Sequence, residues 1–417
     1  MGSGGVACVA SDEGAQGAGA SAIDLPTSDD RQAAVASALA FLRTVLASTR
    51  DPHAAAGLTA AAGRAVDGDL LRNLIERERV GPLLHRALRG RSLLSPATHA
   101  ALLESYRVTA LRNLVFLHEL GTCLERLGAA GVAAIALKGA ALAQPVYGSL
   151  AVRPMCDLDI LIHQRDLPRA RTVIEALGFR PMRLETHAGA LAEHENELAF
   201  EKPGRLPVEL DVHWSLLDSP FYQRELAMEW FWDSARIQSL GGSSAPTLGV
   251  EALLLHLCAH LMLHHQGSGL LWWNDIAAVL SAESRAIDWR EVFARSCAYQ
   301  LLLPMREALT HLAAEWAAPI PAEVLRQFAE ARPSTAEADV FARLSGAESA
   351  GQRFWTDLRS MGSWRRGLHY ARTNLLPSVS YMQRRYGIRN RWLVPLYYPY
   401  RWLRGLRGTG WRGTRGV

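Results

Sequence analysis

No acidic residue follows Asp357, no run of about 18 uncharged apolar residues occurs, and the five cysteines form no C-x-x-C pair. The missing apolar run excludes a membrane-spanning helix. Scattered cysteines at 8, 123, 156, 258 and 297 exclude a disulfide scaffold and point to a reducing, cytoplasmic compartment. Residues 1–30 lack the basic start and apolar centre of a secretion signal and read as a disordered tail. Gly2 suits lipidation, but Val6 stands where that motif needs Ser or Thr.

What is present is divided unevenly. After Asp357 come 13 arginines and no lysine. Removing those 13 from the 45 basic side chains leaves 32 against 41 acidic ones over residues 1–357, a net of −9. An acidic body therefore carries a basic tail. At 49% hydrophobic and 21% charged residues, 417 residues suffice for two or three globular units.

Apolar spacings of three and four predict an N-terminal helical region over 31–130. The texture changes at Gly131. "VAAIAL" reads as a strand that closes at Lys138-Gly139, "AALAQPVYGSL" as a short helix, "DLDILI" as a strand and "DLPRARTVIEALGF" as an amphipathic helix. "RPMRLE", "ELAFEK" and "LPVELDVHW" read as further strands. The expected fold class is α+β, a small mixed-sheet core over 131–246. A C-terminal helical region follows over 247–357, then an Arg/aromatic-rich tail over 358–417.

In "RPMCDLDILI", residues 153–162, two aspartates precede an apolar run. Residues i and i+2 of a strand share a face, so Asp157 and Asp159 set two repelling carboxylates side by side unless a cation lies between them. Asp211 in "VELDVHW" offers a third. Three convergent carboxylates make an oxygen-rich site suited to Mg²⁺, with Mn²⁺ as a substitute. Glu209 shares the face of Asp211 and replaces it as ligand under another register. His213, on the same face, either lines the site or packs beside Trp214. Gly139 allows close approach of backbone N–H groups to an anion, and Lys138 or Arg153 adds positive charge for phosphate.

His256, His260 and His264 repeat at i, i+4, i+8, but no H-E-x-x-H pattern accompanies them, and helix packing is expected. Asp275 reads as a helix cap or a partner for one of these histidines, and His187 and His194 as members of a polar loop. Interleaved Arg, Trp and Tyr in the tail suit packing on the acidic body up to about residue 400, and a peripheral membrane or polyanion contact beyond it.

The order strand, Gly turn, helix, D-x-D strand, helix and later acidic strand resembles the nucleotidyltransferase superfamily typified by DNA polymerase beta. "LKGAALAQPVYGSLAVRPMCDLDILI", "ARTVIEALGF", "VELDVHW", "HLCAHLMLHH" and "LWWNDIAAVL" are similar, over roughly residues 60–400, to an uncharacterised bacterial family of that superfamily. The resemblance implies an enzyme that transfers a nucleoside monophosphate from NTP to an unidentified acceptor (small molecule, protein or RNA end) and releases pyrophosphate. It also implies two metal ions on Asp157, Asp159 and Asp211, with Asp211 assisting deprotonation, and a nucleotide-phosphate turn at Gly139. This chain departs from the broader pattern in having Gly139-Ala140 where Gly-Ser or Gly-Gly is usual, with 16 residues before Asp157. A non-catalytic scaffold that binds nucleotide or polyanion is the competing expectation.

Overall fold

The computed structural model describes residues 28–50, 68–182, 195–345, 355, 358 and 364–406. The expected tail up to residue 27, and His187 and His194, lie outside the described residues.

Among the described residues, four N-terminal helices, α1 (Ser28–Ala47), α2 (Gly68–Arg77), α3 (Gly81–Leu88) and α4 (Pro96–Ala129), lead into the sheet. The start of α4 is well specified: the Ser95 hydroxyl accepts from the Thr98 amide at 3.2 Å, and Pro96 occupies the first turn, where no N–H is needed. Its 34 residues reach about 51 Å at 1.5 Å per residue, long enough to back the whole sheet.

Seven strands form one mixed sheet: β1 (Ala134–Ala136), β2 (Leu158–Ile162), β3 (Arg180–Pro181), β4 (Glu197–Lys202), β5 (Val208–His213), β6 (Arg236–Leu240) and β7 (Ser243–Thr247). Their order is β3-β4-β5-β2-β1-β7-β6. β2 runs parallel to β5, and β1 to β7; the other pairings are antiparallel. The α+β expectation holds. The β6–β7 hairpin, which turns at Gly241 and Gly242, has no counterpart in the strands read from the sequence.

Between the strands lie α5 (Lys138–Ala143), α6 (Leu167–Ala176), α7 (Pro220–Glu225) and α8 (Met228–Asp233). After the sheet come α9 (Val250–His264), α10 (Leu270–Ala282), α11 (Trp289–Ala298), α12 (Leu302–Trp316), α13 (Ala322–Glu330) and α14 (Thr335–Leu344). The segment beyond holds α15 (Trp364–Leu375), α16 (Val379–Tyr386) and α17 (Val394–Leu406). No helix among the described residues is long and apolar enough to cross a membrane.

Strand parity divides the central sheet between two cores. Leu158, Ile160 and Ile162 of β2 join Phe116, Leu120 and Leu127 of α4 and Ile174 of α6 in one core. Ile135, Leu137 and Leu161 face the other way, into a core shared with α9, α10 and α12. Because β2 is covered on both faces, all five of its residues are buried, as expected of a central strand. Asp159 therefore has the parity of Leu161 and lies on the face that looks toward the C-terminal helices.

Candidate active site

The register of β2 on β5 places Asp159 opposite Asp211, and Leu161 opposite His213. Parallel neighbours in register project to the same side, so the two carboxylates and the imidazole meet. One ligand atom from each of Asp159, Asp211 and His213 lies within 4.8 Å of the other two, and all three residues are buried. Asp157 stands one residue ahead of β2 and lines the same cavity of about 360 Å³.

Two basic side chains converge on one oxygen. Lys138 Nζ donates to Asp159 Oδ1 at 2.7 Å, and His213 Nε2 lies 2.9 Å from the same atom. The other face of the ring meets Glu197 of β4, with Nδ1 3.2 Å from Oε2. That contact follows from the antiparallel register, which sets Glu197 opposite His213. Burial and the Lys138 charge lower the His213 pKa, but the bond to Asp159 and the charge of Glu197 outweigh them and raise it.

The carboxylates differ sharply. Burial works against an ionised Asp159, yet the Lys138 ammonium and the His213 hydrogen bond hold its pKa below the usual carboxylate range. Asp211 has no such donors. Burial, then the charges of Asp159 and Glu197, push its carboxyl up to about 7. Asp157 is also raised, by burial and by Asp159. Like charges held together in a buried place with hard oxygen donors are the setting a divalent cation relieves. The donor set thus fits a metal ion, and the buried Asp159, Asp211 and His213 group is compatible with binding one.

Lys138 opens α5 with a φ of +44°, a left-handed conformation that a lysine rarely adopts, and its Nζ is thereby aimed at Asp159. Gly139 follows for a steric reason. A Cβ there would overlap Nη1 of Arg153 and stand 2.9 Å from Cγ of Met155. The glycine therefore admits the Arg153 guanidinium against the first turn of the helix.

Arg153 is buried and held by Asp275 of α10, with Nη2 2.8 Å and Nε 3.2 Å from Oδ2. Asp275 also accepts from the Tyr147 hydroxyl at 2.7 Å, that hydroxyl accepts from Asn274 Nδ2 at 2.9 Å, and Arg50 donates to Asn274 Oδ1. Asp275 lies inside its helix, so it is neither the expected cap nor a histidine partner; it anchors an arginine. Glu209 lies one pleat from Asp211, opposite Glu201, and is absent from the cavity lining.

The opposite wall comes from the end of α9 and the start of α10. His260, His264, His265 and Trp272 line the cavity, while His256 packs within the core. His260 Nε2 and His265 Nε2 lie 3.1 Å apart, and the His265 ring stacks on Trp272 at 3.6 Å between centroids. Burial and the Lys138 charge depress the His260 pKa; burial and His264 push His265 down to about 3. Both rings are therefore neutral near pH 7, each with a donor and an acceptor. Helix packing, expected for His256, His260 and His264, holds for His256; His260 and His264 line the cavity instead, because the sheet stands opposite their face. Glu197 and Arg79, also cavity residues, carry no local sequence signal.

No curated protein matches the chain. A solved structure of an antigenic nucleotidyltransferase-like protein from Paracoccidioides brasiliensis is similar at 15% identity and a TM-score of 0.35, over 51% of this chain and 97% of that one. The family model described as uncharacterised nucleotidyltransferase matches residues 64–318, more than half of the sequence. The chain that pairs Asp159 with Asp211 across two parallel strands thus belongs to the uncharacterised nucleotidyltransferase family.

Proposed function

We propose that the protein transfers a nucleoside monophosphate from a nucleoside triphosphate to an acceptor hydroxyl in a Mg²⁺-dependent reaction. The acceptor oxygen bonds to the α-phosphorus, the bond from that phosphorus to the bridging oxygen breaks, and pyrophosphate leaves with the electron pair. The observation that carries this reading is the register pairing of Asp159 with Asp211 on a cavity wall.

Asp157, Asp159 and Asp211 would hold the metal, with His213 behind them. Bound there, Mg²⁺ would supply charge neutralisation for the triphosphate and acidify the acceptor hydroxyl. The chain does the rest by position. His213, tied to Glu197, fixes the rotamer of Asp159. Arg153, braced by Asp275, holds a fixed positive charge beside Gly139, whereas Lys138 on its flexible stem can exchange Asp159 for a phosphate oxygen. Asp211 would take the hydroxyl proton. The wall of Trp272, His260 and His264 supplies a surface for the acceptor or the base.

The test is incubation with each of the four labelled NTPs, Mg²⁺ or Mn²⁺ and a panel of small alcohols, sugars, protein and RNA ends, monitored by pyrophosphate release. Turnover by the unaltered protein and its loss in Asp159→Asn and Asp211→Asn variants supports the enzyme.

One observation favours a second reading. Lys138 Nζ and His213 Nε2 already lie within hydrogen-bond distance of Asp159 Oδ1, as in a scaffold where a side chain stands in for the metal. Nucleotide binding unchanged by chelator, without turnover across the panel, would decide for that scaffold.

A further inference from the structure

Exposed apolar surface is concentrated at one end of the chain. Ten of the 17 large hydrophobic side chains exposed among the described residues fall within 364–406. This segment is folded around a small core of its own, Tyr381, Met382, Ile388 and Val394. Trp402 Nε1 donates to the Leu375 carbonyl at 2.8 Å, and Tyr398 donates to that of Pro377 at 2.6 Å, which ties α17 to the end of α15. What the segment leaves outside is therefore a surface of a packed unit.

That surface is ordered. Trp392, Leu396, Tyr400 and Leu403 succeed one another at spacings of four, four and three, and so share one face of the short turn at Arg391–Leu393 and of α17. They stand 77%, 71%, 48% and 57% exposed. Trp364 and Leu368 repeat the pattern at i, i+4 on α15.

Charge of a single sign accompanies the rings. No acid follows Asp357, and arginine is the sole cation beyond it. The Arg391 guanidinium lies 5.2 Å from the centroid of Trp392, and that of Arg404 lies 5.8 Å from Tyr400. Rings, aliphatic side chains and guanidinium groups at one level match the headgroup zone of a bilayer. There, rings sit at the boundary, aliphatic groups reach below it and cations meet phosphates.

We propose that the α17 face of Trp392, Leu396, Tyr400 and Leu403 docks on an anionic lipid surface, lying in the interface plane. At 13 residues, about 20 Å, the helix is too short to span about 30 Å of hydrocarbon. A single-stranded nucleic acid would use the rings and the arginines, but Leu396 and Leu403 offer nothing to a base or a phosphate. Their placement at the centre of the face is explained by a hydrocarbon phase. The docking face thus begins before residue 400, within the region for which the sequence favours packing on the acidic body.

The test is co-sedimentation of the full chain with phosphatidylcholine vesicles, with and without about a quarter phosphatidylglycerol. Binding at least about tenfold tighter to the anionic vesicles is expected. A Leu396→Glu, Leu403→Glu double variant, with circular dichroism and melting temperature unchanged, should lose at least about tenfold. If that variant misfolds, Trp392→Ala, at an exposed ring, reads the same loss. Absence of binding to anionic vesicles, or equal binding by the altered chains, would overturn the proposal. So would an oligothymidine that binds the unaltered protein and loses as much affinity as the vesicles do, since that assigns the face to nucleic acid.

Discussion

Replacing Asp275 by alanine is expected to destabilise the protein by about 3–5 kcal/mol. The carboxylate is buried in α10 and receives Arg153 Nη2 at 2.8 Å, Arg153 Nε at 3.2 Å and the Tyr147 hydroxyl at 2.7 Å. After truncation the Arg153 guanidinium stays in the interior, with the Pro154 carbonyl, 3.1 Å from Nη1, as its remaining protein acceptor among the described residues. The dominant loss is thus an uncompensated buried charge, and a hydroxyl without an acceptor adds about 1–3 kcal/mol that overlaps with it. Against a total of about 5–15 kcal/mol, the variant keeps a small margin. Urea unfolding followed by tryptophan fluorescence and circular dichroism measures the difference. An Arg153→Met, Asp275→Leu double variant removes both charges and should recover at least about 2 kcal/mol relative to Asp275→Ala. A loss below about 1 kcal/mol in the single variant, or no recovery in the double, would refute this account of the network.

Gly139→Ala should cost about 1–3 kcal/mol, because the new methyl displaces the Arg153 guanidinium and presses on Met155; a lower melting temperature, relieved in a Gly139→Ala, Arg153→Met background, is the check. Acid should weaken the fold through His256, whose pKa burial pushes down to about 3. The unfolded chain takes up that proton near pH 6.5 and the folded chain only near 3, so stability falls as pH drops through this window, by on the order of 5 kcal/mol at most. His256→Leu should flatten the slope between pH 4 and 6 in pH-dependent urea unfolding. Mg²⁺ or Mn²⁺ should raise the melting temperature, with about 2.7 kcal/mol of stabilisation at a hundredfold excess over Kd. Chelation should reverse that shift, and Asp159→Asn or Asp211→Asn should abolish it; an identical shift in those variants would refute metal binding at this place.

Local pattern revealed the acidic positions because strand parity is a local property. Two residues apart on a strand means one face, and this placed Asp211 and His213 together before any pairing was known. Pairing itself is not local. Glu197 reaches His213 through the β4–β5 register, and nothing in "HENELAF" marks that glutamate from its neighbours. Asp275 finds its partner 122 residues away, so helical spacing could not tell a cap from an anchor. The β6–β7 hairpin was hidden by composition: "RIQSL" and "SSAPT" are serine-rich, poor in the β-branched and aromatic residues that mark strands, and Pro246 argues against one. The histidines of α9 gave the right helix and face, yet their exposure to a cavity depends on the sheet standing opposite.

The pairing of Asp159 with Asp211 also determines where the chain tolerates a change of length. Between Ile162 and Val208, the chain outside α6, β3 and β4 can grow or shrink without moving either carboxylate, since interstrand hydrogen bonds determine which residues sit across from each other. One residue inserted within β5 ahead of Asp211 rotates the acid to the reverse side of the pleat, into the apolar layer beneath α4. In this molecule, then, a long insertion outside the strands is milder than a single extra residue inside one.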